Sequence, residues 1–189
     1  MRVSQAEKEK SRERIVTSAA RMLRERGVDG ASVADVMSDA GLTHGGFYRH
    51  FESKDALVAA ALDQAFDGFI ATLSAGSRGS DPQTATVGFI KTYLSDGHIA
   101  HPGQGCPIPA LAADVGRSSP LVKARFSAGV RRMVSAIGQA MPGDDEARRT
   151  AAWRQLAMMA GAVMMARSAD TQTVAEILAA CGGGDSRAD

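Results

Sequence analysis

Apolar residues recur every three or four positions along most of the chain, the spacing that places them on one face of an α-helix. Turn-forming Gly, Pro, Ser and Asp residues interrupt this pattern and divide it into separate elements. The pattern predicts about nine helices, over residues 7–26, 32–40, 43–51, 54–74, 84–95, 107–115, 119–140, 146–169 and 173–180. Residues 75–82 and 96–109 are predicted to be loops, and the second leads into the helix that begins at Pro107. We therefore expect an all-α protein.

Residues 41–54 combine a turn with the starts of two helices. Gly41 can adopt the left-handed conformation that ends a helix, and Thr43 is expected to cap the next helix through its hydroxyl. Phe47 and Phe51 lie four positions apart, so they share the inner face of that helix. The outer face is left with polar and small residues, namely Thr43, His44, Gly45, Tyr48 and Arg49.

The segment before Gly41 completes a helix-turn-helix unit. Ser32 and Asp35 have the spacing of a capping box, with Asp in the place of the usual Glu. The helix that they begin ends at Gly41, and a second short helix follows the turn. A small helix with a polar outer face and apolar residues behind it suits the major groove of DNA.

Residues 12–57 resemble the tetracycline-repressor (TetR) family of bacterial transcription regulators. The residues that carry the resemblance are Ile15, Ala19, Leu23, Gly27, Ser32, Val33, Ala34, Asp35, Val36, Ala40, Gly41, Leu42, Gly46, Phe47, Tyr48, Arg49, His50, Phe51, Lys54, Asp55, Ala56 and Leu57. The resemblance implies a DNA-binding head (residues 1–53), a body that binds an effector and dimerises (residues 54–181), and a flexible tail (residues 182–189). Members of this family pair through their last two long helices, as a four-helix bundle across a two-fold axis.

The resemblance also implies a set of DNA-contacting residues: Ser32, Thr43, His44, Gly45, Tyr48, Arg49, His50 and Lys54. Four of these positions face base edges in the family, namely Thr43, His44, Gly45 and Arg49. Arg49 is suited to bidentate contact with guanine, and Tyr48 is expected to reach a phosphate. Packing of Tyr48 against Phe47 and Phe51 is the alternative.

Cations near the N-terminus could add contacts with phosphates or with the minor groove. These are Arg2, Lys8, Lys10, Arg12 and Arg14. The alternative is a solvated helix start, since Glu7, Glu9 and Glu13 dilute the positive charge. The whole chain has a net charge of +1, and residues 1–54 carry 10 Lys and Arg against 8 Asp and Glu. We therefore expect only modest long-range attraction to DNA, with affinity arising from local contacts and from two heads acting together.

Composition points to a cytoplasmic protein with no membrane contact. Hydrophobic residues make up 44% of the 189 positions, which is enough for a core. The longest apolar run that the sequence suggests, residues 156–166, is too short to cross a bilayer, and the charged N-terminus does not resemble a secretory signal. Two cysteines, Cys106 and Cys181, do not suggest a disulfide framework.

Cys106 directly precedes Pro107 at a predicted helix start, where the helix dipole is expected to lower the pKa of its thiol. The run Gly105-Cys106-Pro107 resembles the TetR subgroup typified by the N-ethylmaleimide reductase repressor, which implies a redox or electrophile sensor. A half-buried structural cysteine is the second interpretation. A metal site formed with His98 and His101 is the third, although the spacing matches no common zinc pattern. No metal and no cofactor are predicted.

Candidate effector or sensor residues in the body are Cys106, Phe89, Tyr93, Phe126 and Trp153. Methionines 158, 159, 164 and 165 could line an adaptable pocket or fill the core and the interface. The predicted function is a homodimeric DNA-binding regulator, a repressor of a near-palindromic operator that a small molecule, an electrophile or an oxidant releases. A thiol-based enzyme or a small-molecule carrier built on the body is the alternative. Because no catalytic motif is present, we do not expect an enzyme.

Overall fold

The computed structural model describes residues 4–76 and 81–182, and the regular secondary structure in these ranges is helical. The α-helices in the described ranges are α1 (Gln5–Gly30), α2 (Val33–Asp39), α3 (Lys54–Gly76), α4 (Pro82–Tyr93), α5 (Asp96–Ala100), α6 (Pro107–Val115), α7 (Pro120–Gly138), α8 (Asp145–Ala166) and α9 (Thr171–Cys181). Two 3-10 helices, His44–Arg49 and Pro102–Gln104, complete the order of elements. The all-α prediction is confirmed.

The ends of the first two helices follow from local chemistry. At α2, the Ser32 side chain accepts from the Asp35 backbone and the Asp35 side chain accepts from Ser32, so the predicted capping box is confirmed. Gly41 has a φ of +68°, the left-handed conformation expected of it. Gly27, at a φ of +78°, kinks α1 near its C-terminal end.

Two predictions about local structure are wrong. The segment 43–51 forms only the 3-10 helix His44–Arg49, and the Thr43 side chain makes no capping hydrogen bond. Two consecutive glycines in this stretch disfavour a regular α-helix, which accounts for the tighter, shorter turn. The segment 96–109 is not a loop, because Ser95 caps α5 by accepting from the His98 N–H, and the helix Pro102–Gln104 follows.

Helix α3 forms the centre of the body and packs along α7 and α1. Gly129 of α7 allows this approach, because a Cβ there would overlap the ring of Phe66. By length and composition, Lys54–Ala75 could cross a membrane, so the expectation that no apolar stretch is long enough is wrong. Half of that apolar window is nevertheless buried inside the protein, as a central core helix requires.

Contacts also join α1 to the body away from α3. The Arg24 Nη1 donates to the Gly105 carbonyl at 2.9 Å, and the Val28 N–H donates to Asp114 Oδ2 at 3.0 Å. The division at residues 53 and 54 therefore stays a prediction, with α1 in contact with both sides of it. The predicted loop 75–82 lies partly outside the described residues, and so does nearly all of the predicted tail 182–189.

Candidate nucleic-acid interface

The 3-10 helix His44–Arg49, called the short helix from here on, is held by aromatic packing on its inner side. Phe47 is 2% exposed and stacks on Phe51, with ring centroids 5.9 Å apart. Tyr48 meets the edge of Phe47 at 5.2 Å, yet 76% of it is exposed. Packing therefore orients Tyr48 without burying it, and its hydroxyl is free to meet an external partner.

The outer face of the short helix is open. Thr43, His44, Gly45, Tyr48 and Arg49 are all exposed. A Cβ built on Gly45 would meet no atom within 4 Å, and Gly45 does not have a positive φ. Neither backbone conformation nor internal packing requires glycine at this position, so the absent side chain leaves room for something outside the protein.

A basic cleft of about 260 Å³ lies beside this face. Lys8, Arg49 and His50 supply its basic groups. Burial lowers the pKa of His50, and the positive charges of Lys8, Arg12 and Arg49 lower it further. Among the described residues, the buried Nδ1 of His50 has no hydrogen-bond partner. An anion in the cleft would neutralise the positive charge of Lys8 and Arg49, and it would accept a hydrogen bond from Nδ1 of His50.

The N-terminal cations divide between two surfaces of α1. Lys8 lines the basic cleft, and the guanidinium of Arg12 lies 5.1 Å from the centroid of the Phe51 ring. Lys10 and Arg14 instead line a separate groove that also contains Glu7 and Glu13. Arg2 lies outside the described residues. Of the described N-terminal cations, Lys8 therefore lines the basic cleft and Arg12 packs on Phe51, whereas Lys10 and Arg14 face the other groove.

Two members of the predicted set lie at helix starts. Ser32 is exposed, and its hydroxyl bonds to Asp35 at 2.6 Å. Lys54 opens α3, which Ser53 caps by accepting from the Ala56 N–H at 3.0 Å. Both residues flank the short helix in the chain without lining the basic cleft.

The effector and sensor candidates do not form one site. Phe89 and Tyr93 belong to a buried aromatic cluster with Phe69 and His98, in which Tyr93 contacts all three other rings. Phe126 packs at 5.7 Å against Phe66, on a different part of α3. Trp153 is 44% exposed on α8 and lines a surface groove with residues of α7.

His98 is a central residue of this cluster that sequence reasoning considered only as a metal ligand. Its Nδ1 bonds to the Tyr93 carbonyl, and its Nε2 accepts the Cys106 N–H at 2.9 Å. These partners require the neutral tautomer that carries its proton on Nδ1. Burial lowers the pKa of His98 to about 4, and the nearby Arg167 and Arg24 contribute to this shift. No sequence pattern indicated Arg24 or Arg167, because both residues are distant in the chain from the groups that they contact.

The Cys106 thiol is fully buried beside the Tyr93 side chain. Its sulfur accepts from the Ile108 N–H at 3.5 Å, so it does occupy the expected helix start. Burial nevertheless raises the pKa of the thiol to about 11, which is the opposite of the predicted direction. Loss of solvation outweighs the helix dipole and the hydrogen bonds that favour the thiolate.

The sequence is similar to those of known bacterial regulators. The family model for bacterial regulatory proteins of the tetR family matches residues 15–61, which include the short helix. The chain is 30% identical over 112 residues to the HTH-type transcriptional repressor DhaR of Mycobacterium sp. (strain GP1), covering 59% of this chain and 56% of DhaR. It is 38% identical over 63 residues to TtgR of Pseudomonas putida, covering 33% and 30%. The match thus spans about half the length of DhaR.

Solved structures extend the similarity to nearly the whole chain. A TetR transcriptional regulator from Chloroflexus aurantiacus has a TM-score of 0.77 at 27% identity, covering 94% of this chain and 95% of that one. The reduced form of NemR from E. coli has a TM-score of 0.75 at 20% identity, covering 90% and 94%. At that identity, the comparison with NemR concerns the fold alone.

Proposed function

Because this chain belongs to the TetR family of bacterial regulatory proteins, we propose that it is a homodimeric repressor of transcription that binds a near-palindromic operator. The observation that carries the proposal is the short helix, whose inner side is fixed by Phe47 while its outer side is exposed. Such a helix can enter the major groove with its polar groups preoriented. DNA lies in the bacterial cytoplasm, and we place the protein there.

The proposed contacts follow from position and chemistry. Arg49 is directed outwards, and a guanidinium is suited to pair with a guanine edge. The Tyr48 hydroxyl and the basic cleft at Lys8 and His50 suit two phosphates on either side of the groove. Gly45 allows the backbone to approach the bases closely, because no side chain intervenes.

The proposed dimer uses the outer faces of α7 and α8, the last two long helices of the body. Apolar and small residues form a stripe on α8: Trp153, Ala157, Met158, Met164 and Met165 are exposed, and Gly161 among them is half-buried. A Cβ on Gly161 would meet nothing within 4 Å, so this point of the stripe is open to a partner helix. Small residues four positions apart allow two helices to approach closely, as a four-helix bundle requires.

We further propose that an effector releases the operator by binding the DNA-incompetent state more tightly. The buried, protonated thiol of Cys106 favours a non-covalent small molecule over direct capture of an electrophile. An electrophile effector would require the cluster around Tyr93 to open first. If the thiol is the sensor, Cys106→Ser should keep DNA binding and lose release by N-ethylmaleimide, whereas unchanged release would exclude this role.

The test of the function is a mobility shift on the DNA upstream of the protein's own gene, at fixed salt. Tyr48→Ala should weaken binding to every sequence tested, because a phosphate contact is lost. Arg49→Ala should instead relax the base preference at one operator position, by about 1–3 kcal/mol. Val87→Ala, at an exposed apolar residue of α4, is the matched control. Wild-type protein that ignores every promoter fragment, or Tyr48→Ala with unchanged affinity, would contradict the proposal.

A further inference from the structure

The basic cleft beside the short helix contains an imidazole with an unsatisfied ring nitrogen. His50 lines the cleft together with Lys8 and Arg49, and its backbone N–H donates to the Phe47 carbonyl at 2.9 Å. Its Nδ1 is buried, and no group in the described part of the chain bonds to it. Buried polar atoms in folded proteins are nearly always hydrogen-bonded, so this nitrogen indicates a partner from outside the chain.

The surroundings of the ring favour its neutral form in the free protein. Burial lowers the pKa of His50, and the positive charges of Lys8, Arg12 and Arg49 lower it further. Glu9 of α1 acts in the opposite direction. The other residues that line the cleft are uncharged, namely Ser11, Met37, Leu42, Thr43 and Gly46. A further positive charge on the ring is therefore disfavoured as long as no anion is present.

A phosphate in the cleft reverses this balance. Its negative charge would lie beside the same cations, so it would offset their repulsion and raise the pKa of the imidazole. A charged imidazole carries a proton on both nitrogens, which allows Nδ1 to donate, and hydrogen bonds between ionised partners are the stronger class. Binding of the phosphate and uptake of a proton by His50 would therefore favour each other.

We propose that His50 takes up a proton when the cleft receives a phosphate of the operator, so that operator affinity rises as the pH falls. This inference rests on the proposed function, because the phosphate belongs to bound DNA. Acidification would strengthen repression and a more alkaline pH would weaken it. The imidazole is thus a phosphate contact whose strength depends on pH, unlike the cations around it.

The direction of the effect follows from the two protonation states. Between the pKa of the ring in the free protein and its higher pKa in the complex, each head gains about one proton on binding. Affinity falls within this interval as the pH rises, by up to about tenfold per pH unit and per head. Below the interval the ring is charged in both states, and above it the ring is neutral in both, so affinity is constant there.

Calorimetry counts the protons directly. Full-length protein is titrated with a promoter fragment that it shifts, at pH 7.5 and constant salt, in Tris and in PIPES, whose enthalpies of ionisation differ. The difference in binding enthalpy between the two buffers gives the number of protons taken up. We expect about one proton per head for wild type and close to none for His50→Gln. Equal proton uptake by the two proteins, or none by wild type, would overturn the proposal.

The pH dependence of affinity separates a titrating role of His50 from a structural one. At constant ionic strength, wild type should bind at least about tenfold more weakly at pH 8.5 than at pH 6.5. His98 stays neutral over this range, because its pKa is about 4. His50→Gln should bind more weakly than wild type at pH 6.5, and the difference should shrink towards pH 8.5. A difference that does not change with pH would overturn the proposal.

His44→Gln is the matched control, since His44 is an exposed histidine on the outer face of the same helix. Its affinity can change with its own contact, but its proton uptake should equal that of wild type. Loss of proton uptake in His44→Gln and not in His50→Gln would overturn the proposal.

Nuclear magnetic resonance of the histidine rings tests the free state without DNA. The signal of His50 is identified by its absence from His50→Gln, and the ring should be neutral at pH 7.5 in the free full-length protein. A ring that is already charged there would overturn the proposal. Protein that binds the operator without proton uptake contradicts this inference alone, whereas protein that binds no promoter fragment at any pH contradicts the operator proposal as well.

Discussion

The imidazole of His98 is held neutral by its partners, and this makes the fold sensitive to acid. Its Nε2 accepts the Cys106 N–H, so a proton on that atom would face another donor while Arg24 and Arg167 stand nearby. The pKa of His98 is about 4 in the folded chain against 6.5 for the ordinary group, so between these values the unfolded chain binds the extra proton. The contribution of His98 to the free energy of unfolding is therefore fully present above pH 6.5. It is lost as the pH falls towards 4, and the loss amounts to up to about 3 kcal/mol.

Urea unfolding at pH 7 and pH 4.5 measures this loss. His98→Gln should be less stable at pH 7 but should lose much less stability on acidification than the wild type. His101→Gln is the control, because His101 is exposed and its ring bonds to the Gly97 carbonyl of its own turn. An identical pH dependence in His98→Gln and wild type would contradict the assignment of the acid sensitivity to this residue.

Gly45 lies on the exposed outer face of the short helix. Since nothing inside the protein occupies the space of its missing side chain, Gly45→Ala should stabilise the short helix by up to about 1 kcal/mol. The same methyl group should weaken operator binding, because it stands on the face proposed to approach the bases. Thermal unfolding and a mobility shift measure the two effects. Gly46→Ala is the comparison: its Cβ would lie in ordinary contact with Met37, 3.6 Å away, on the protein side. Equal affinity of Gly45→Ala and wild type would exclude close approach at this position.

At the scale of helices, the sequence correctly predicted the features that depend only on residues close together in the chain. The capping box of Ser32 and Asp35 involves four consecutive positions, and the shared face of Phe47 and Phe51 follows from helical spacing alone. The pKa shift of the Cys106 thiol was predicted in the wrong direction because the surroundings of this residue are not local. Arg24, which bonds to the neighbouring Gly105 carbonyl, lies 81 positions earlier in the chain. Whether a helix start faces water or a core depends on how α1, α4 and α8 converge, and periodicity does not determine that.

The kink in α1 at Gly27 lies against Asp114 of α6, so a substitution there tests the contact between these two helices. Gly27 has a φ of +78°, and a Cβ there would lie 2.5 Å from Asp114 Oδ2, the atom that accepts the Val28 N–H. Gly27→Ala should therefore destabilise the protein by about 1–3 kcal/mol, through backbone strain and a displaced carboxylate. Urea unfolding measures the change. Gly68→Ala in α3 is the control, since its Cβ would meet nothing within 4 Å, and it should be neutral or stabilising. Equal stability of the two variants would show that α1 does not depend on this contact.

At the scale of the whole molecule, both the proposed operator affinity and the proposed dimer depend on the outer stripe of α8. Each head presents only one short helix and the chain has a net charge of only +1, so one head alone should bind DNA weakly. Two linked heads gain affinity because the second contact becomes intramolecular, by about a factor of 10²–10⁴. Loss of the dimer should therefore remove operator binding even where every DNA-contacting residue is intact.

Gly161→Glu separates the dimer from the fold. The space beside Gly161 is open within one subunit, so a larger side chain should leave the subunit folded. In the proposed dimer the new carboxylate would be buried against the partner subunit, and burial of an unpaired charge is unfavourable. Sedimentation equilibrium should show wild type at about twice the chain mass of 19.7 kDa and the variant at the chain mass. Gly88→Glu, at another open glycine on α4, should stay dimeric and bind DNA normally. A monomeric wild type, or a dimeric Gly161→Glu that still binds the operator, would exclude α8 as the interface.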